Sequence, residues 1–307
     1  MVNYFGLPII VAIGLGIIFP YIAFQLIPVS IAFLFLLMYC AGLTIDWKNL
    51  SYRQILSPAI IIGLLFSFVL LPFAQWIIAR QVISDSQYLY GLVLASLCPA
   101  AVVAPFFVRS VDADENVSFI LIVVTMILFP FVAPVVLNVL LDHDVYFNRE
   151  PIAKYMLLLT TLPVLLGYLT YRFIGKIPDR RMNWAGVFNM LCLSFLIFIL
   201  FGNATRSINL NYIDFNDIAL LLLMVFIQNF VVLHICKLIF LKVYSVELAM
   251  SMAITLSMRN YAVAAGILLY YDPRASIAPA LGFVAHAILF NLIYLARKTK
   301  YFRPVSG

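Results

Sequence analysis

The residue that most clearly points to chemistry is Arg259, a cation near the middle of a long apolar segment. A charged side chain at the centre of a bilayer costs about 2.5–3.5 kcal/mol on insertion scales, and such residues are functional by default. A buried cation normally pairs with a carboxylate, but no apolar segment of this chain contains Asp or Glu away from its ends. Two roles therefore stay open: Arg259 binds an anionic ligand as a fixed cation, or it satisfies backbone carbonyls that a broken helix leaves free.

Two apolar segments are interrupted at mid-span, and they indicate where that site lies. One carries Pro99 and Pro105, and the other turns polar over residues 255–260. A proline frees a backbone carbonyl, and broken backbone is tolerated in lipid only where it lines a protein cavity. Beyond such a break, the N–H groups of a half-helix can bind an anion. The predicted substrate-binding residues are Arg259, Asn260, Thr255, Ser257, Asn229, Pro99, Ala100, Pro105 and His286.

Other polar residues of the apolar segments have ordinary structural interpretations beside the functional ones. His286 and His234 are each interpreted as hydrogen-bonded packing residues or as proton relays, and Gln228 with Asn229 as an interhelical hydrogen-bonding pair. Cys98, beside the first break, is either a small buried hydrophobe or a soft ligand. The four cysteines have no metal-binding spacing, so we expect no metal site, no cofactor and no disulfide.

Composition places all of these residues in a membrane. The 307 residues are 65% hydrophobic and 10% charged, with a mean hydropathy of +1.09. Soluble domains carry roughly 25% charged residues, so the composition excludes a soluble enzyme, a nucleic-acid binder and a disordered adaptor. One crossing with its loop takes about 30 residues, which predicts an all-α polytopic protein with ten transmembrane helices. These helices are predicted at 5–26, 28–46, 56–80, 88–110, 117–141, 152–175, 184–202, 217–240, 245–270 and 276–297.

The distribution of charge predicts the topology. Thirteen Lys and Arg residues fall on the N-terminal side of the membrane and five on the other, with Arg259 left between. By the positive-inside rule both termini are cytoplasmic, and we expect the plasma membrane. The chain divides near residue 150 into halves of five helices, so the second half enters the membrane inverted. Interrupted fourth and ninth helices in two inverted halves are typical of the midplane site of a transporter.

Motifs at five places along the chain, in this order and spacing, resemble one family. They are Ala41-Gly42-Leu43-Thr44, Cys98-Pro99, Asn116-Val117-Ser118 through Pro130 and Pro134, Met258-Arg259-Asn260, and His286. Together they resemble the bile acid:sodium symporter family over most of the chain. The resemblance implies two inverted five-helix repeats in which a core of helices 3–5 and 8–10 moves against a panel of helices 1, 2, 6 and 7. In residues, the panel is 1–50 with 151–205 and the core is 51–150 with 206–307.

The departures from the family pattern concern its sodium sites. Where the family continues Pro-Gly-Gly-Thr-Ala-Ser-Asn, this chain has Pro99-Ala100-Ala101-Val102-Val103-Ala104-Pro105. The resemblance also implies that a shared glutamate has become Thr255 and a neighbouring glutamine has become Arg259. The altered sodium-site positions are Ser67, Ala104, Pro105, Ser118, Ile122, Thr255 and Arg259. A carboxylate and at least two side-chain oxygens are lost while a cation is gained, so sodium coupling is doubtful.

The sequence therefore predicts a secondary transporter of a small or amphipathic organic anion, either a bile-acid-like anion or a carboxylate. Transport is expected to be independent of sodium, with Arg259 as a fixed cation in the binding site. Three alternatives stay open: sodium- or proton-coupled symport with His286 or backbone carbonyls as replacement ligands, arsenite efflux through Cys98, and a non-transporting sensor or scaffold. A membrane-embedded enzyme lacks an acid/base pair at mid-membrane depth. The expected partners are the lipid bilayer and the anion, with no nucleic acid. The sequence leaves the oligomeric state open.

Overall fold

A computed structural model describes residues 6–44, 52–141, 149–174, 179–209, 215–297 and 299. Within these ranges the chain is helical, without a strand longer than an isolated bridge. The helices are α1 (Gly6–Ile18), α2 (Pro20–Gln25), α3 (Ile27–Thr44), α4 (Tyr52–Ile55), α5 (Pro58–Leu65), α6 (Leu71–Val82), α7 (Ser86–Leu97), α8 (Ala104–Ser110), α9 (Glu115–Leu141), α10 (Arg149–Met156), α11 (Leu162–Ile174), α12 (Asp179–Asn209), α13 (Phe215–Leu241), α14 (Val246–Ser257), α15 (Tyr261–Tyr271) and α16 (Ile277–Ala296). Two π-helical turns, Phe66–Leu70 and Leu157–Thr161, join α5 to α6 and α10 to α11.

The molecule is a polytopic membrane protein. In the described part of the chain, seven helices or joined helices are long and apolar enough to cross a membrane, and three shorter apolar helices accompany them. The outer faces of these helices are apolar too. On α9, for example, Phe131, Val135 and Val139 are all exposed, and their spacing of four residues aligns them on one face of the helix. Such a stripe is suited to contact with lipid.

Most predicted helix positions are confirmed within a few residues, and the differences have local causes. The segment predicted at 5–26 is interrupted at Phe19, because Pro20 begins a new helix there. Helix α12 continues through Asn209 and so extends beyond the predicted end at 202. Pro130 and Pro134 lie inside a continuous α9.

The two predicted interruptions both occur, and their backbones pair with each other. The chain leaves helical geometry between α7 and α8, at 98–103, and between α14 and α15, at 258–260. The N–H of Ala101 donates to the carbonyl of Met258 at 2.9 Å, and the N–H of Asn260 donates to the carbonyl of Pro99 at 2.8 Å. Ala100 and Arg259 thereby form an isolated antiparallel bridge. This pairing satisfies backbone groups that would otherwise be orphaned in lipid.

The helices pack in two groups. Helices α1, α2 and α3 pack on α12, and α11 packs on α3, while α13 packs on α14 and α16 and these are joined by α7, α8 and α9. Helices α3 and α11 cross closely at Gly42 and Gly167, since a Cβ on either glycine would collide with the backbone of the other helix. Small residues at such a crossing let membrane helices approach each other. Helices α3 and α12 also contact α15, so the two groups meet beside the second interruption.

Candidate functional site

A cavity of about 110 Å³ lies where the two groups of helices meet. Helices α1, α3 and α12 form one part of its wall, and both interruptions together with α15 and α16 form the rest. The lining is mostly apolar, with Arg259, two amides and one histidine as its main polar members. The lining residues are Ile9, Leu37, Met38, Ala41, Ala101, Val102, Val103, Asn189, Leu193, Arg259, Asn260, Tyr261, Ala262, Phe283 and His286.

Arg259 is buried in the wall of this cavity with only 1% of its surface exposed. Its Nη1 donates to the hydroxyl of Ser67 at 3.1 Å and to the carbonyl of Cys98 at 3.3 Å. Its Nε and Nη2 have no hydrogen-bond partner among the described residues, and no ion pair with a described carboxylate is formed. One of the two roles expected for Arg259 is thus observed, because Nη1 bonds the Cys98 carbonyl at the first interruption. Binding of an anion by Arg259 stays a prediction.

The backbone N–H groups at the interruptions are largely bonded within the protein. The N–H of Ala100 donates to the hydroxyl of Thr125 at 3.2 Å, and those of Ala101 and Asn260 donate to backbone carbonyls across the pair. Pro105 lies in the first turn of α8 and offers no N–H. These N–H groups are therefore already used within the protein, whereas Nε and Nη2 of Arg259 have no hydrogen-bond partner among the described residues.

The other predicted substrate residues divide between the cavity wall and its surroundings. Asn260 and His286 line the cavity, and the His286 ring lies 4.5 Å from the Tyr261 ring, measured between centroids. Asn229 is not among the lining residues, but it contacts one of them, because its Oδ1 accepts a hydrogen bond from the Tyr261 hydroxyl at 3.0 Å. Ser257 donates back to its own helix, at the carbonyl of Ile254.

Four of the seven positions that the resemblance assigns to the sodium sites form two buried pairs. Arg259 bonds Ser67, which lies in the π-helical turn Phe66–Leu70, and Thr255 donates to the Ser118 hydroxyl at 2.7 Å. Ala104 and Ile122 are buried and apolar, so neither brings a side-chain oxygen to this region. Among the described residues no cluster of His, Cys, Asp and Glu is suited to a metal ion.

Two residues of the cavity wall, Asn189 and Tyr261, were not predicted from the sequence. Asn189 of α12 lines the cavity, and its buried Oδ1 has no hydrogen-bond partner among the described residues. The signal available in the sequence was an amide inside an otherwise apolar segment, but the chain has several of these. Tyr261 links the cavity wall to Asn229.

A comparison with protein families decides the identity of the chain. The family described as "Sodium Bile acid symporter family" matches residues 31–211, which is more than half of the 307 residues. The chain belongs to this family. A comparison with curated proteins finds no match.

Membership in the sodium bile acid symporter family identifies the chain as a membrane transporter and not an enzyme. The resemblance inferred from the five motifs is thereby confirmed. The match also spans the first interruption and its Cys98-Pro99 motif, and it ends before Arg259.

Proposed function

We propose that this family member moves an organic anion by alternating access without sodium coupling, and that Arg259 is the fixed cation that binds it. The observation that carries the proposal is a guanidinium buried in a cavity wall whose Nε and Nη2 have no hydrogen-bond partner among the described residues. A buried charge without a counter-charge is costly. An anion in the cavity removes that cost when it binds.

Electrostatics also supports independence from sodium. At an effective dielectric of about 20, two like charges 4 Å apart repel by about 4 kcal/mol. A sodium ion beside Arg259 would meet this repulsion, and no carboxylate is among the described lining residues to offset it. The positions that the resemblance assigns to its ligands now hold the pairs Arg259–Ser67 and Thr255–Ser118.

The proposed architecture has ten crossings in two inverted repeats, with the broken fourth and ninth crossings formed by α7 with α8 and α14 with α15. A panel of residues 1–50 and 151–205 would move against a core of 51–150 and 206–307. The two groups of packed helices support this division. We further propose that both termini are cytoplasmic and that the protein resides in the plasma membrane.

The two ends of the boundary between the helix groups differ, as alternating access requires. At one end Asn203 of α12 donates to the carbonyl of Pro273 at 2.8 Å, and Tyr155 packs on Tyr270 with ring centroids 5.5 Å apart. The cavity lies toward the other end, where Asn189 near the start of α12 and Ile9 near the start of α1 line it. The proposed orientation places the contacted end outside and the cavity toward the cytoplasm.

Flux into proteoliposomes tests the proposal. The full chain would be reconstituted and supplied with taurocholate or isobutanesulfonate, two anions that stay charged and so cross bare lipid slowly. We expect uptake of at least one of them at the same rate in sodium chloride and choline chloride, and loss of that uptake in Arg259→Gln. Uptake that requires sodium, or that survives Arg259→Gln unchanged, contradicts the proposal.

Thermal unfolding of the ligand-free protein gives an independent test of the sodium claim. The wild type is expected to unfold at the same temperature in sodium chloride and choline chloride. An unfolding temperature that is higher in sodium chloride than in choline chloride would indicate a sodium site formed by other ligands. That result would favour sodium-coupled symport.

Proton coupling is the second candidate, because His286 lines the same cavity as Arg259. It predicts that an inward proton gradient accelerates uptake in the wild type and not in His286→Gln. Equal acceleration in both proteins excludes this role for His286.

A further inference from the structure

The proposed core, residues 51–150 and 206–307, has a single charged side chain in the middle of a crossing among its described residues. Every other described Asp, Glu, Lys and Arg of the core lies in a loop between crossings or within five residues of a helix end. Arg259 lies instead at the interruption between α14 and α15, and it forms no ion pair with a described carboxylate. The interior of the core therefore has a net positive charge.

Arg259 is attached to the core by its polar contacts. Its Nη1 donates to the Ser67 hydroxyl and to the Cys98 carbonyl. Its backbone forms the antiparallel bridge with Ala100. All three partners lie within residues 51–150, so none of these contacts joins Arg259 to the proposed panel. The charge is therefore expected to move with the core when the core moves against the panel.

The cavity determines which side of the membrane acts on this charge. Arg259 lies in the cavity wall, and the cavity lies toward the proposed cytoplasmic end. A water-filled cavity is close to the potential of the solution to which it opens, so the voltage falls across the closed part of the protein. Alternating access opens the same wall to the opposite solution. The guanidinium then crosses part of the transmembrane field, even if its own displacement is short.

We infer that Arg259 is the voltage sensor of the substrate-free carrier, so that the membrane potential biases the side to which the empty site opens. This inference rests on the alternating access of the proposed function. One elementary charge that crosses the whole field changes the ratio of two states by about fiftyfold per 100 mV, and a charge that crosses part of it changes the ratio by less. An inside-negative potential favours the arrangement with the cavity toward the cytoplasm.

Whole-cell voltage clamp of cells that express the full chain tests this inference. The solutions on both sides contain choline chloride, with no sodium and no added organic anion, so that only charges of the protein itself can move. Steps in potential should produce transient currents whose integrated charge is equal on the forward and return steps and saturates at both extremes. Cells that lack the protein give the background. Absence of this transient in wild type that reaches the cell surface overturns the inference.

Variants assign the transient to its residue. Arg259→Gln should abolish it, whereas Arg259→Lys keeps the charge and should retain it. Arg80→Gln is the matched control, because Arg80 is exposed near the end of α6, where its guanidinium lies 4.5 Å from the Trp76 ring centroid. It should leave the transient unchanged, and surface labelling measures the amount of each variant in the membrane. A transient that persists in Arg259→Gln overturns the inference.

The pH dependence of the wild-type transient gives a measurement that does not depend on any variant folding. A guanidinium stays charged throughout the accessible range, so the integrated charge should be the same at about pH 5.5 and at about pH 8.5. His286 lines the same cavity, and a charge carried by an imidazole decreases toward the higher pH. A transient that decreases in this way overturns the assignment to Arg259.

The outcomes separate this inference from the proposed function. A missing transient together with flux that requires Arg259 removes the voltage sensor and leaves the proposed function standing. A transient that requires Arg259, together with flux that survives Arg259→Gln unchanged, contradicts the proposed function and leaves the voltage sensor standing.

Discussion

The guanidinium of Arg259 is held by the hydroxyl of Ser67, which accepts a hydrogen bond from Nη1 at 3.1 Å. The two residues are 192 positions apart in the chain. Ser67 lies in the π-helical turn Phe66–Leu70, and single π-helical turns are frequent at functional sites. Nη1 is thus anchored by Ser67 and by the Cys98 carbonyl, whereas Nε and Nη2 have no hydrogen-bond partner among the described residues.

Replacing Ser67 with Ala should loosen this anchor. The variant is expected to lose about 1–3 kcal/mol of stability, because a buried, charged donor loses an acceptor. Its affinity for anions should fall severalfold as the guanidinium is no longer positioned. Thermal unfolding and calorimetric titration measure the two effects. Ser30→Ala is the control, since the Ser30 hydroxyl is equally buried and donates only to Ile27 in its own turn. Equal losses in both variants would contradict an anchoring role for Ser67.

The Thr255–Ser118 pair should prove structural. Thr255→Val removes the donor to Ser118, so we expect a loss of about 1–2 kcal/mol in stability. Anion affinity should stay unchanged, because neither residue lines the cavity. Thr205→Val, whose hydroxyl donates within α12, is the comparison for stability. Weakened anion binding with unaltered stability would instead place Thr255 in the substrate site, as the sequence predicts.

The contact between Asn203 and Pro273 should open and close during transport. A pair of cysteines, Asn203→Cys with Pro273→Cys, is expected to stop flux when joined by a short bis-methanethiosulfonate cross-linker, and flux should return on reduction. The physical reason is that these residues join the two groups of helices at the end away from the cavity. Each single cysteine treated in the same way is the control. Undiminished flux in the cross-linked protein would show that this end does not move.

Cys98 should have no role in moving thiophilic species. Its side chain is fully buried and is not part of the cavity wall, and its carbonyl already accepts from Arg259. Cys98→Ser is therefore expected to leave the arsenite tolerance of expressing cells unchanged, as measured by growth against concentration. Reduced tolerance in the variant, with equal expression, would favour arsenite efflux.

Much of the fold and part of the site could be predicted from local sequence. Long apolar runs predicted the positions of the helices because each turn in lipid must be apolar and internally bonded. Pro99 and the polar run at 255–260 predicted where helices break. The partners of the broken backbone could not be predicted, because the N–H of Ala100 bonds Thr125, which is distant in sequence. The amide of Asn189 was equally inconspicuous among the other asparagines.

Composition and hydropathy by themselves determined that this protein is a membrane protein, and they determined the positions of its helices. They also showed that the apolar segment around Arg259 contains no Asp or Glu near that cation. These properties are local, since the solvent preference of a segment depends on its own side chains. Tertiary structure alone decided which nitrogens of Arg259 are bonded and which have no partner among the described residues. It also decided that Asn189 lines the same cavity. Such matters depend on atoms brought together from distant parts of the chain, and no local pattern encodes them.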